Sequence, residues 1–295
     1  MEAVIDWWQE LPTHMDPVLF SIGSFQLKYY GLMYLVAFVV SYMMALYRTK
    51  HEARFPYNSD FLQSFLTYQV LGVIIGGRVG YVLFYNLPYY FDHPLEAFLP
   101  IAMGPTGIEF RGFAGMSYHG GLLGVIIATW LFTKKYKTSF WNIADLFAPV
   151  VPLGYTFGRL GNFINGELWG RATDSAIGMI FPDSPGLELR HPSQLYEGFF
   201  EGIVLFAILW LLRRRKLPEG AMLALYIFGY GFFRFFIEFY REPDEHLGFI
   251  LFSLSMGQLL CIAMMAAAVG LYVWIARHNQ IADTSLIAPA KSKKS

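Results

Sequence analysis

Seven long apolar runs, separated by short polar or charged stretches, pattern this chain near 28–47, 61–85, 113–133, 143–164, 196–212, 220–240 and 256–276. As helices rising about 1.5 Å per residue, such runs can cross about 30 Å of hydrocarbon. The pattern predicts an all-α membrane protein with about seven transmembrane helices. Two of the runs are interrupted: Pro149, Pro152 and glycines break the fourth, and Glu197 and Glu201 open the fifth. Segments 86–112 and 165–195 are too long for simple turns and predict a small external cap or partial re-entry. Trp7, Trp8, Tyr89, Tyr90 and Phe91 suit the membrane–water interface.

The basic residues orient this bundle. Of the 22 lysines and arginines, fourteen follow spans one, three, five and seven, five lie on the opposite side, and Arg78, Arg159 and Arg234 fall inside spans. The positive-inside rule then puts the N-terminus outside and the C-terminus in the cytoplasm. Residues 1–276 are expected to form one polytopic transmembrane domain, and 277–295 a basic cytoplasmic tail expected to be disordered. The first 27 residues carry Glu2, Asp6, Glu10 and Asp16 but no lysine or arginine, so the first span is expected to be retained, not cleaved as a signal.

Composition narrows the chemistry. With 55% hydrophobic and 15% charged residues the chain is not mostly water-facing, and a net charge of zero argues against a nucleic-acid partner. A single cysteine excludes internal disulfides and a cysteine metal cluster, and seven histidines without ligand spacing predict no metal site.

Polar residues inside the spans are the candidates for function, because charge at membrane depth is costly. Placed by depth, Tyr30, Arg78, His119, Arg159 and Arg234 all fall in the outer third, although they come from five helices. Arg159 sits in GRLGNFINGELWGR, residues 158–171, with Asn162, Asn165 and Glu167 nearby and glycines that permit close backbone approach; a buried anion is its best explanation. Tyr230, Arg234 and Glu238 recur at four-residue spacing on one helical face, either as a structural ion pair or as a clamp with guanidinium donors left for a ligand. Arg78 can snorkel, pair with Glu109 or touch substrate, and Gly72, Gly76 and Gly80 suggest close helix packing. His119 can be a satisfied core group or a proton acceptor near neutral pH. In RHPSQLYE, residues 190–197, Ser193 is expected to cap a helix; Arg241 marks the headgroup boundary, and Cys261 is a buried apolar residue.

GRLGNFINGELWGR resembles the signature of the bacterial prolipoprotein diacylglyceryl transferases. The resemblance continues through YYGLMYLV at 29–36, GGRVGYVLFYN at 76–86, GMSYHGGLLG at 115–124, RHPSQLYE and GYGFFRFFIEFYREPD at 229–244. It implies a transferase of the bacterial inner (plasma) membrane with its active site toward the periplasm. The reaction implied moves the sn-1,2-diacylglyceryl group of phosphatidylglycerol to the lipobox cysteine of preprolipoproteins, forming a thioether and releasing glycerol 1-phosphate, without cofactors. By resemblance Arg159 binds phosphatidylglycerol, Arg234 is a second indispensable arginine, and Tyr30, His119, Asn162 and Gly170 fall on important positions, with Glu167, Tyr230 and Glu238 around the same cavity. The competing reading, an organic-anion or lipid transporter, would hold its polar site nearer the bilayer midplane on repeat-related helices.

Overall fold

The computed structural model describes residues 2–22, 25–94, 96, 101–104, 107–110, 115–186, 188–242, 249–251 and 254–278. The tail beyond 278 and much of segment 95–112 lie outside the described residues. The chain is mostly helical: α1 (Glu2–Glu10), α2 (Tyr29–His51), α3 (Ser59–Tyr85), α4 (Leu87–Asp92), α5 (Tyr118–Tyr136), α6 (Phe140–Phe147), α7 (Val151–Ile164), α8 (Ser193–Glu197), α9 (Leu205–Leu212), α10 (Ala221–Ile237) and α11 (Met256–His278). Three small antiparallel pairs add to the all-α expectation: β1 (Val18–Ile22) with β2 (Phe25–Lys28), β3 (Ile101–Gly104) with β4 (Gly107–Phe110), and β5 (Phe249–Leu251) with β6 (Leu254–Ser255). Among the described residues four helical runs are long and apolar enough to cross a membrane: Tyr29–His51, Ser59–Tyr85, Ser193–Leu212 and Met256–His278.

The fourth predicted run is two helices. Proline at position 152 sits in the first turn of α7, where its missing N–H has no intrahelical partner to lose, so the chain ends α6 and starts again. The fifth run is unbroken but not uniformly α: between α8 and α9 it widens into π turns over Gly198–Val204. Such turns concentrate at functional sites.

Two compact units make up the chain, Tyr57–Phe140 and the remainder. In the smaller unit α3 and α5 pack closely. A Cβ on Gly72 would stand 2.7 Å from the Gly124 carbonyl oxygen, and one on Gly80 would stand 2.7 Å from the Gly120 Cα. The regular glycine spacing is therefore a helix-packing device. Asn58 caps α3 by accepting from the Phe61 N–H, and Ser117 caps α5 by accepting from the Gly120 N–H.

In the larger unit α2 packs on α7, α7 on the π turns, and α10 on α11. A buried ionic network closes one end of these helices. Arg48 donates to Glu52 and to the carbonyls of Asp145 and Leu146, while Arg54 pairs with Asp145. Asp145, fully buried, also accepts from the backbone N–H groups of Gly220 (2.8 Å) and Met222 (3.0 Å), so it caps α10 from a distant part of the chain. Gly220 has φ +95°, which a side-chain-bearing residue would adopt only with strain.

Candidate functional site

At the other end of those helices, arginines and glutamates interlock. Helix α7 presents Tyr155 and Arg159 one turn apart. The Arg159 Nε lies 2.7 Å from both the Tyr155 hydroxyl and a Glu197 carboxylate oxygen, and its guanidinium stands over the Tyr155 ring. The Tyr155 hydroxyl in turn reaches Glu201 at 2.6 Å and Glu197 at 3.1 Å. Glu197 ends α8 and Glu201 lies in the π turns; both are fully buried. The anion that Arg159 meets is thus a carboxylate of the protein itself.

Helix α10 completes the cluster. Arg234 Nη1 lies 3.1 Å from Glu197 and 3.9 Å from Glu201, and Nη2 lies 2.9 Å from Glu238. Glu238 also accepts from the Ser255 hydroxyl at 3.2 Å. The expected Arg234–Glu238 pair therefore exists within a larger network. Tyr230 sets its ring edge-on to Tyr155. Arg241 departs from the sequence reading: it turns inward, with Nη1 3.4 Å from Glu197. Glu197 consequently faces three guanidinium groups. The side chains of Arg159, Arg234 and Arg241 keep exposures of 16, 15 and 22%, although the Arg234 Nη1 atom itself is buried.

The loop after α7 is held against this cluster. Asn162 accepts from Arg159 at 3.2 Å and donates to Glu167 at 2.7 Å; Tyr30 hydrogen-bonds both Asn162 and Tyr34. Gly166 and Leu168 have φ +70° and +61°, a strained pair of turns for which the side chain at 168 is unfavourable. Two buried side chains of RHPSQLYE hold that loop: Gln194 donates to the Glu167 carbonyl (2.6 Å) and Ser193 to the Leu168 carbonyl (2.9 Å). Ser193 is thus a loop tether and makes no cap of α8. Gly170 is a point of close backbone approach: a Cβ there would meet the Tyr240 carbonyl oxygen and stand 2.8 Å from that of His191. Arg171 donates to the carbonyls of Arg241 (2.7 Å) and Glu238 (3.3 Å), closing the end of α10. His191 touches the Tyr196 hydroxyl, and partial burial pushes its imidazole pKa down.

Tyr30, Arg159, Asn162, Glu167, Gly170, Tyr230, Arg234 and Glu238 all belong to the larger unit, and hydrogen bonds, ion pairs and packing connect them. Arg78 and His119 belong to the smaller one. Arg78 is buried, donates to the carbonyls of Glu96 (2.5 Å) and Gly115 (3.3 Å) and stacks over Tyr90, so it ties loops of its own unit together. The Glu109 side chain lies outside the described residues. His119 is exposed at the start of α5, edge-on to Tyr118. Cys261 is buried, as expected.

Sequence reasoning missed Tyr155, Glu197, Glu201 and Arg241 as members of the cluster. The four-residue spacing of Tyr155 and Arg159, and of Glu197 and Glu201, is a signal that could have found them. Chemically the arrangement offers rigid, forked cationic donors in a dry setting, which suits a phosphate ester and charge developing on it.

The comparisons with known proteins agree with this chemistry. The family model described as prolipoprotein diacylglyceryl transferase matches residues 17–274. A protein of Chlorobaculum tepidum named phosphatidylglycerol–prolipoprotein diacylglyceryl transferase is 52% identical over 280 residues, 95% of this chain and 96% of that protein. Proteins of the same name from Pseudoalteromonas atlantica and Bordetella avium are each 47% identical, over 95% and 90% of this chain and 96% of each relative. The chain belongs to the prolipoprotein diacylglyceryl transferase family.

Proposed function

We propose that this protein transfers the sn-1,2-diacylglyceryl group of phosphatidylglycerol to the thiol of the lipobox cysteine in preprolipoproteins. The observation that carries the reading is the set of guanidinium groups of Arg159, Arg234 and Arg241 converging on one buried carboxylate, on side chains that stay partly exposed. In the reaction the cysteine sulfur attacks the glycerol carbon that bears the phosphate. A C–S bond forms, the C–O bond breaks, and glycerol 1-phosphate leaves with the bonding electron pair. Charge gathers on the leaving phosphate, and each well-placed donor facing it lowers the barrier by about 3–4 kcal/mol. Arg159 and Arg234 supply those donors; Tyr30, Asn162, Glu167, Tyr230 and Glu238 fix their geometry, and Gly170 lets the loop close over them. The attacking thiol belongs to the substrate, so no nucleophile of the enzyme is needed. His119, assigned from its sequence depth and motif, takes the thiol proton.

The membrane arrangement follows the same reading. About seven helices cross the inner membrane with the N-terminus outside, and segments 86–112 and 165–195 contribute a small periplasmic cap. Four helical runs long and apolar enough to cross a membrane among the described residues support a membrane-embedded chain, and the excess of basic residues on one side supports the orientation. The lipid enters from the surrounding membrane and the lipobox peptide from the exported chain. The polar cluster lies toward one end of its helices, which disfavours the transporter alternative.

Purified protein incubated with phosphatidylglycerol and a lipobox peptide tests the proposal. The expected result is a peptide mass increase equal to the diacylglyceryl unit, with glycerol phosphate released in equal amount. Release of glycerol phosphate without peptide modification, or transport of an organic anion without any chemical change, would refute it.

A further inference from the structure

Glu197 is fully buried, yet it is the most heavily paired group of the cluster. Arg159 approaches it at 2.7 Å, Arg234 at 3.1 Å and Arg241 at 3.4 Å, and the Tyr155 hydroxyl lies at 3.1 Å. Every element packed against α8 contributes a titratable or charged group here: Tyr155 and Arg159 from α7, Glu201 from the π turns, and Tyr230, Arg234 and Glu238 from α10 or the turn that ends it, with Arg241 beyond. Three arginines thus face three glutamates, and the formal charge of the cluster is zero. A planar carboxylate that takes guanidinium donors in this way makes the same contacts that two oxygens of a phosphodiester would make.

The charge count has a consequence for any anion that joins the cluster. A phosphodiester brings one further negative charge into a site already balanced, and an uncompensated charge in such a poorly hydrated place is strongly disfavoured. Two carboxylates on neighbouring turns, Glu197 and Glu201, stand beside that added charge, and both are bridged by the Tyr155 hydroxyl. A carboxylate that loses its guanidinium donors to a competitor, and lies beside a second carboxylate, binds a proton.

We propose that Glu197 is a positioning residue that holds the guanidinium donors a lipid phosphate uses, so that headgroup binding is an exchange of anions coupled to uptake of one proton by the Glu197–Glu201 pair. This inference rests on the function proposed above. The phosphate takes donors from Glu197, one proton from solvent bonds to a carboxylate oxygen of the pair, and the cluster keeps its net charge. When the phosphate departs with the leaving group, the proton returns and Glu197 recaptures the arginines. Glu197 therefore keeps the arginines gathered and aimed between turnovers, when their mutual repulsion would otherwise spread them.

Calorimetric titration of the full-length protein in neutral detergent with dihexanoyl phosphatidylglycerol tests this, run near pH 7 in two phosphate-free buffers of different ionisation enthalpy. The dependence of the heat on buffer counts the protons bound, and the exchange predicts about one per lipid for the unmodified protein. Glu197→Gln keeps the shape but not the charge; it should bind the lipid at least about fivefold more tightly, with little proton uptake and slower turnover. No proton uptake by the unmodified protein, or a folded Glu197→Gln variant that binds no more tightly, overturns the exchange. If Glu197→Gln does not fold, the unmodified protein still decides, and Glu201→Gln should reduce the uptake. Arg159→Gln separates the two levels: lipid binding unaffected by that change removes the headgroup site and both readings fall, whereas binding lost there without proton uptake in the unmodified protein removes only the exchange.

Discussion

Replacing Arg159 by lysine keeps a positive charge and removes a fork. The guanidinium uses Nε toward Tyr155 and Glu197, both at 2.7 Å, and Nη1 toward Asn162 at 3.2 Å. An ammonium is a point donor on a flexible stem and cannot hold that side-on geometry while also facing a phosphate. Charge-assisted hydrogen bonds contribute about 1.5–3 kcal/mol each, and a donor aimed at developing charge about 3–4 kcal/mol. Arg159 is 16% exposed, so water recovers part of what is lost at its own pairings, and we take the loss of one aimed donor as the net effect. That corresponds to a fall in kcat/KM of about 100- to 1000-fold for Arg159→Lys. Mass-spectrometric counting of modified lipobox peptide against time measures it, with thermal unfolding in detergent to verify the fold. Turnover within about threefold of the parent, at unchanged stability, would mean that Arg159 supplies only bulk charge and would refute the reasoning.

Four further outcomes are expected. Gly170→Ala should destabilise the loop by about 1–3 kcal/mol, since the new methyl meets two backbone carbonyls that cannot move aside, and a lowered melting temperature with lost activity checks it. Gly124→Val should force α3 and α5 apart because a Cβ there runs into the backbone of Gly72 and Gly76; an unchanged melting temperature would contradict that packing. Cys261→Ala should remain active, as a buried lone thiol with no part in the transfer; abolished chemistry in a folded variant would point to a covalent enzyme intermediate. His119→Gln should bind phosphatidylglycerol but transfer slowly, and raising the pH should partly restore the rate, because a free cysteine with a pKa of about 8.5 is then increasingly ionised without help. Normal turnover of this variant at neutral pH would leave thiol activation to the arginine field alone.

The apolar runs coincide with the four helical stretches long and apolar enough to cross a membrane among the described residues, because a continuous hydrocarbon-facing surface leaves a strong imprint on sequence. Arg159 and Arg234 stood out for the same reason, as charges where apolar residues belong. Their partners did not. Glu197 and Glu201 looked like weak ends of a span, since nothing in a list of residues announces that a helix will widen into π turns and point both inward. Tyr155 was passed over because a lone tyrosine within an apolar run carries no charge to mark it. Gly170 and Ser193 were noticed through motifs, but their physical roles depend on which carbonyls come near them, and those belong to chain segments far away in sequence. Asp145 offered no hint that it would cap a helix beginning at Ala221.

Helix α10 is latched at both ends by residues that flank α7. Asp145 takes its first backbone N–H groups, and Arg171 takes the carbonyls of Glu238 and Arg241 at its far end. Between Met222 and Glu238 lie sixteen residue steps, about 24 Å of helix. The connection from Asp145 to Arg171 must span the same distance, so the two stretches behave as matched beams in a frame. Lengthening either by one residue would release a latch or turn the Arg234 face of α10 by about 100° away from its partners. Substitutions along the lipid-facing side of α10 leave the frame intact, whereas insertions and deletions anywhere between its latches do not. The cluster thus inherits its alignment from chain length as much as from side-chain chemistry.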